Sequence, residues 1–163
     1  MPTVIQNDND ILITHIFDAP VSLVFKAWTN PEQLVQWYAP NGCSINFIEI
    51  DISEGGNYYS CITTSTGYKC WCKGTYLEIV SNSKIVQTMN MADEHGNLVE
   101  PAVIGMDPEW PKETLLTITF EEQDNKTKLT LHQTASEVVA KRTGAYQSWG
   151  QMLDNLAVLT AQR

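Results

Sequence analysis

The sequence is short of positive charge. It holds 10 lysines and arginines against 19 aspartates and glutamates, for a formal net charge of −9. A surface of that sign repels phosphate backbones and anionic headgroups, so no nucleic acid is expected as a partner and membrane-surface binding is disfavoured. Long apolar runs are missing as well. No segment approaches the ~18 residues that mark a spanning helix, so no membrane insertion is expected. The first 20 residues carry neither a cationic start nor a continuous apolar stretch, so no secretory signal is expected and the location read is cytoplasmic. In that compartment the four cysteines, Cys43, Cys61, Cys70 and Cys72, are expected to be reduced.

Signatures of catalysis are also lacking. There is no Gly-x-Ser-x-Gly elbow, and His15, His95 and His132 stand isolated, so no nucleophile, base and orienting acid can be assembled from the pattern. Gly55-Gly56 leads into a strand pattern rather than a helix, which excludes a phosphate-cradling loop. Cys70-x-Cys72 places two thiols on one strand face, but a zinc site needs about four ligands and there is no second paired cluster. The sequence therefore assigns no catalytic residue, no metal and no cofactor.

What is present is a globular chain: 163 residues, 43% hydrophobic and 18% charged. Residues 1–10 are polar and read as a tail, and residues 11–163 as one domain with no linker or repeat. Ile11–Phe17 reads as a strand. Asp18 is placed to cap a helix carrying Val21, Val24, Phe25 and Trp28 at helical spacing, and a second short helix is expected from Pro31 to Trp37. From Cys43 to Gln133 the pattern is β. Strands are expected over 44–52, 57–64, 68–80, 84–91, 113–120 and 126–133, mostly joined by short turns that imply antiparallel hairpins. The exception is Ala92–Lys112, which has three prolines, no periodicity and more length than a hairpin turn takes. The chain closes on a helix whose Ala145, Trp149, Met152, Leu153, Leu156 and Leu159 form a wide apolar stripe. Gly150 in that helix costs about 1 kcal/mol against alanine, which suggests a close approach to a strand or a ligand.

Segregated strands and helices give an α+β class. A meander of this many strands curls. The long C-terminal helix is the one element able to cover the concave face, so the architecture read is a helix-grip: a curved antiparallel sheet wrapped around that helix, with two short helices after the first strand. An internal apolar cavity is physically reasonable in such a shell.

Particular segments carry a resemblance. Asp18-Ala19-Pro20, Ala27-Trp28-Thr29-Asn30-Pro31-Glu32 and Trp37-Tyr38-Ala39-Pro40 resemble the opening of the START-like (SRPBCC) superfamily, which includes the birch-pollen-allergen-like proteins. Gly55-Gly56-Asn57-Tyr58, Gly74-Thr75-Tyr76-Leu77-Glu78-Ile79, Thr127-Lys128-Leu129-Thr130-Leu131 and the Trp149 helix continue it. More narrowly, these segments are similar to the C-terminal domain of activators of the 90-kDa heat-shock-protein ATPase. The resemblance covers residues 11 to 160 and implies a helix-grip fold with a cavity between sheet and helix. Its members range over ligand carriage, cyclisation and co-chaperone action, so the fold alone fixes no task. Trp149-Gly150 inverts the usual Gly-Trp order, Met89 and Met91 stand where aromatics are common, and no counterpart of the separate N-terminal domain of the eukaryotic activators is expected.

The candidate ligand-binding residues are Trp37, Tyr38, Tyr58, Met89, Met91, Trp110, Trp149 and Leu153. Methionine adapts to irregular apolar ligands, and tyrosine and tryptophan join a large apolar body to a polar tip. Plain core packing competes for each of them, whereas Phe25, Trp28 and Leu156 read as core outright. The expected function is binding of a small apolar or aromatic molecule by a monomer or homodimer. The alternatives are a contact with a chaperone that modulates its ATPase, and a cyclase- or hydrolase-like enzyme. The loop Ala92–Lys112 is expected to form a lid or rim, turning Val103, Ile104, Met106 and Trp110 inward.

Overall fold

The computed structural model describes residues 9–161. Seven strands form a single antiparallel sheet: β1 (Asp10–Phe17), β2 (Ser44–Ile50), β3 (Asn57–Thr63), β4 (Lys69–Val80), β5 (Lys84–Ala92), β6 (Glu113–Gln123) and β7 (Lys126–Ser136). Their order is β1-β7-β6-β5-β4-β3-β2, so β2 to β7 are a simple meander and β1 adds beside β7. Helices α1 (Val21–Thr29) and α2 (Pro31–Leu34) follow β1, and α3 (Glu137–Thr143) and α4 (Ala145–Thr160) end the chain. This is the helix-grip arrangement expected from the sequence.

Alternation decides which side chains fill the concave face. On β6 and β7, Leu116, Ile118, Phe120, Leu129 and Leu131 point inward and are at most 4% exposed. They meet the apolar stripe of α4, where Leu153 and Leu156 are wholly buried. Each such side chain removed from water contributes about 1.5–3 kcal/mol. Helix α1 adds Val24, Phe25, Ala27 and Trp28. Phe25 meets Phe120 edge-on with ring centroids 5.2 Å apart, and Trp28 meets Trp37 at 4.6 Å. The Trp37 indole donates to the Ala27 carbonyl at 3.0 Å, which pins the segment after α2 onto α1.

Several local expectations are corrected. Of the N-terminal tail, residues 1–8 lie outside the described residues, and Asp10 already belongs to β1, paired with Ser136. Asp18 does not cap α1: Pro20 takes the cap position and no side chain caps the helix. Asn30 caps α2 instead, its side-chain oxygen accepting from Glu32 N at 2.9 Å and Gln33 N at 3.2 Å. Regular helix there ends at Leu34 rather than Trp37. Helix α3 was not foreseen. It starts on Ser136, whose hydroxyl accepts from Val139 N at 3.0 Å, and stops at Gly144 with φ 92°. A methyl group added to Gly150 meets nothing within 4 Å, so no close approach explains that glycine. Gly74 on β4 is the crowded one: a Cβ there would lie 1.9 Å from the Thr88 carbonyl oxygen and 2.6 Å from the Tyr58 ring.

Candidate functional site

The β2–β4 half of the concave face is built differently from the β6–β7 half. Cross-strand neighbours on β3 and β4 pair Tyr58 with Gly74, Ser60 with Cys72 and Ile62 with Cys70. Small side chains dominate this set and do not reach α4. A cavity of about 420 Å³ results. Ser60, Ile62, Cys70 and Cys72 floor it, and Ala145, Ser148, Trp149 and Met152 of α4 cover it. Tyr38, Pro40 and Cys43, after α2, close one end. Its size lies within the range of ordinary small-molecule sites.

No charged side chain stands among the described residues lining this cavity, and none of the three histidines does. Sulfur is prominent: Cys43, Cys70, Cys72, Met89, Met106 and Met152 all contribute to the wall. Burial holds the ionisable groups neutral. It pushes the Cys72 thiol up to about 12 and the Tyr38 and Tyr58 phenols well above their usual range. Tyr58 donates to the Thr88 carbonyl at 2.7 Å, with Cys72 Sγ 3.7 Å away. Among the described residues, the buried Tyr38 hydroxyl and Trp28 indole N–H find no partner. At the α4 side, Gln133 of β7 is 2% exposed at a position that alternation makes inward-facing. Its Oε1 accepts from the Trp149 indole at 2.9 Å, and its Nε2 donates to Thr114 Oγ1 at 3.0 Å. Burial thus disfavours ionisation of the Cys72 thiol and of both phenols.

The segment between β5 and β6 forms part of the rim. The Asp93 carboxylate organises its first turn, accepting from the His95 and Asn97 amides at 2.9 Å each. A 3-10 turn, Pro101–Ile104, follows and ends at Gly105. Beyond it, Arg142 of α3 bonds to Asp107 through Nε at 3.0 Å and to Glu109 through Nη2 at 2.5 Å. Tyr68 donates to the Ile104 carbonyl at 2.7 Å from the opposite side. Met106 and Trp110 reach the cavity wall, and Trp110 is 7% exposed. Ile104 packs against the core, but Val103 is 73% exposed, so the inward face expected of this loop omits it. A second, open concavity with Asp107 and Arg142 adjoins the first through Tyr68, Met106 and Thr143.

The family model described as "Activator of Hsp90 ATPase homolog 1-like protein" matches residues 18–161. The chain belongs to that family. The family lies within the START-like superfamily that the sequence resembles. Solved structures agree on the fold. A protein of Chromobacterium violaceum is 25% identical with a TM-score of 0.78, over 95% of this chain and 99% of that one. A protein of Arthrobacter aurescens is 22% identical with a TM-score of 0.79, over 91% and 84%. A family member from Silicibacter pomeroyi is 15% identical with a TM-score of 0.73, over 93% and 96%. No curated protein matches the chain.

Within this family frame, the structure brings together five of the eight candidate residues on one cavity wall: Tyr38, Tyr58, Met89, Trp110 and Trp149. Trp37, Met91 and Leu153 do not line it; they are at most 7% exposed and pack in the core. Met89 and Met91 share a strand face, but Met91 lies one pair nearer the rim loop, where its amide bonds to the Lys112 carbonyl at 3.1 Å. Met106, expected on the inward side of the loop, does reach the wall, whereas the thiol floor, Met152 and Gln133 were not among the ligand-binding candidates. Gln133 was open to detection: it is a large polar residue in phase with Leu129 and Leu131 on a mainly apolar inner face. Among the described residues, no three His, Cys, Asp or Glu side chains converge on a point suited to a metal ion.

Proposed function

We propose that this protein binds a small, neutral, apolar or aromatic molecule in the cavity between β3, β4 and α4, without catalysis. The observation that carries the reading is a partly open cavity of about 420 Å³ whose described lining contains no charge. An ionised ligand would lose its hydration there with nothing to replace it, so affinity goes to neutral molecules. Polarisable sulfur suits the faces and edges of aromatic rings. The family description favours a second reading, contact with a chaperone ATPase, in which the outer surface rather than the cavity is the working part.

The test is calorimetric titration of the full chain with 2-acetylnaphthalene, a neutral planar ketone, beside Ser148→Trp, which fills the cavity from α4. The wild type should bind saturably with one site. The variant, with folding checked by circular dichroism, should bind at least about tenfold more weakly, which is ~1.4 kcal/mol. Equal affinity in both proteins, or no saturable binding at all, would rule the cavity out as the site.

A further inference from the structure

We propose that Gln133 is the group that selects and orients the ligand, and that the ligand carries a neutral hydrogen-bond acceptor, a carbonyl oxygen, which takes an N–H of its side-chain amide. This deepens the binding reading above and depends on it. Gln133 is 2% exposed and forms part of the cavity wall. The orientation of its amide is settled by its neighbours. An indole N–H can only donate, so the Gln133 atom 2.9 Å from Trp149 Nε1 is the oxygen, and the nitrogen faces the other way. That nitrogen carries two hydrogens. One goes to Thr114 Oγ1 at 3.0 Å, a full hydrogen bond. Among the described residues the other has only the Met89 thioether, 3.6 Å away.

A thioether is a weak acceptor on a flexible, adaptable side chain. Met89 is itself part of the cavity wall, so its sulfur can turn aside without leaving a gap in the core. A carbonyl oxygen arriving from the cavity would exchange this weak contact for a normal N–H···O bond. The amide is already clamped by Trp149 and Thr114, so little ordering remains to be done on binding. A ligand without an acceptor leaves the N–H on sulfur and gains nothing there. Sites that hydrogen-bond a particular ligand group discriminate in this way against analogues that lack it. The acceptor must also be neutral, because the described lining carries no charge.

The competing role for Gln133 is purely to hold the Trp149 indole. A matched pair of probes separates the two. 2-Acetylnaphthalene and 2-isopropenylnaphthalene have nearly the same shape, but a methylene replaces the carbonyl oxygen in the second. Their dissociation constants are measured for the wild type and for Gln133→Met. Loosening of Trp149 affects both probes alike and cancels in their ratio. The preference for the ketone over the alkene should fall about fivefold in the variant, the effect of one net hydrogen bond. In the wild type, the Gln133 side-chain amide resonances in a ¹⁵N-correlated NMR spectrum should move with the ketone and stay with the alkene. That second readout holds even if Gln133→Met fails to fold. An unchanged probe ratio, or amide resonances that respond equally to both probes, overturns the proposal while leaving cavity binding intact. Failure of both probes to bind the wild type overturns the binding reading, and this proposal with it.

Discussion

The two halves of the concave face use the same strand geometry and reach opposite results. On β6 and β7 the middle of the inward set, Leu116, Ile118, Phe120, Leu129 and Leu131, is large and branched or aromatic and fills the space under α4, with Thr114, Thr127, Gln133 and Ala135 at its ends. On β3 and β4 the inward set includes Ser60, Cys70, Cys72 and Gly74, and the space is left as a cavity. Side-chain volume at these positions, not topology, separates core from site. Interiors pack at crystal-like density, so removing volume on one half of a rigid shell opens a space that the shell does not collapse to fill. One helix serves both halves: α4 turns Leu153 and Leu156 to the filled side and Ser148, Trp149 and Met152 to the cavity.

Adjacent residues on α4 give the sharpest mutational contrast. Leu153→Ala should destabilise by about 2–5 kcal/mol in urea unfolding, since Leu153 is wholly buried in the filled half. Met152→Ala should cost less than its neighbour, because part of its surface already faces open space and has fewer contacts to lose. Equal losses at the two sites would mean that the halves are packed alike. Gly74→Ala comes next, at roughly 1–3 kcal/mol of destabilisation, since its new methyl group meets the Thr88 carbonyl and the Tyr58 ring. Because Tyr58 and Cys72 line the cavity beside it, the same substitution should also perturb binding. Gly150→Ala has the opposite sign: with nothing within 4 Å to obstruct a methyl group, it should stabilise by up to about 1 kcal/mol through helix propensity.

The cavity half should also fail first in alkali. The Cys72 thiol is raised to about 12, and Tyr38 and Tyr58 are raised too, all by burial. In the unfolded chain a thiol ionises near ~8.5 and a phenol near ~10. Raised acids contribute their full stabilisation below those values and lose it as pH climbs above them. For Cys72 the loss runs between about 8.5 and about 12. Urea midpoints should therefore fall as pH rises from 8 to 10.5, and Cys72→Val should shrink that fall. A midpoint that stays level over this range, or a fall that Cys72→Val leaves unchanged, contradicts the burial of these groups.

The filled half was legible in the sequence because its signal is redundant. Leu116, Ile118 and Phe120 alternate with threonines, and α4 repeats its apolar stripe over four turns, so strand phase, helix face and fold agree with one another. The candidate site was half legible. Tyr38, Tyr58, Met89, Trp110 and Trp149 are conspicuous by residue type, and that cue carried equally to Trp37, Met91 and Leu153, which the fold turns into core. Type states what a side chain can do, whereas the wall of a cavity depends on which neighbours are too small to reach across. That information sits in the small volumes of Ser60, Cys70, Cys72 and Gly74, whereas the two cysteines drew notice as a metal pair. Helix α3 was missed because its seven residues carry little periodicity; the Ser136 cap and Gly144 stop were its available cues.

The central claim is that the unfilled half of the grip is a ligand site. It is tested most directly by ¹⁵N- and ¹³C-resolved NMR of the labelled chain during titration with 2-acetylnaphthalene. Saturable shifts should appear at the Trp110 and Trp149 indoles, at Tyr58 and at the Met89 and Met152 methyl groups. Leu12 and Ile16, exposed on the outer face of β1, should not respond. Shifts confined to that outer face, or none that saturate, would contradict the account.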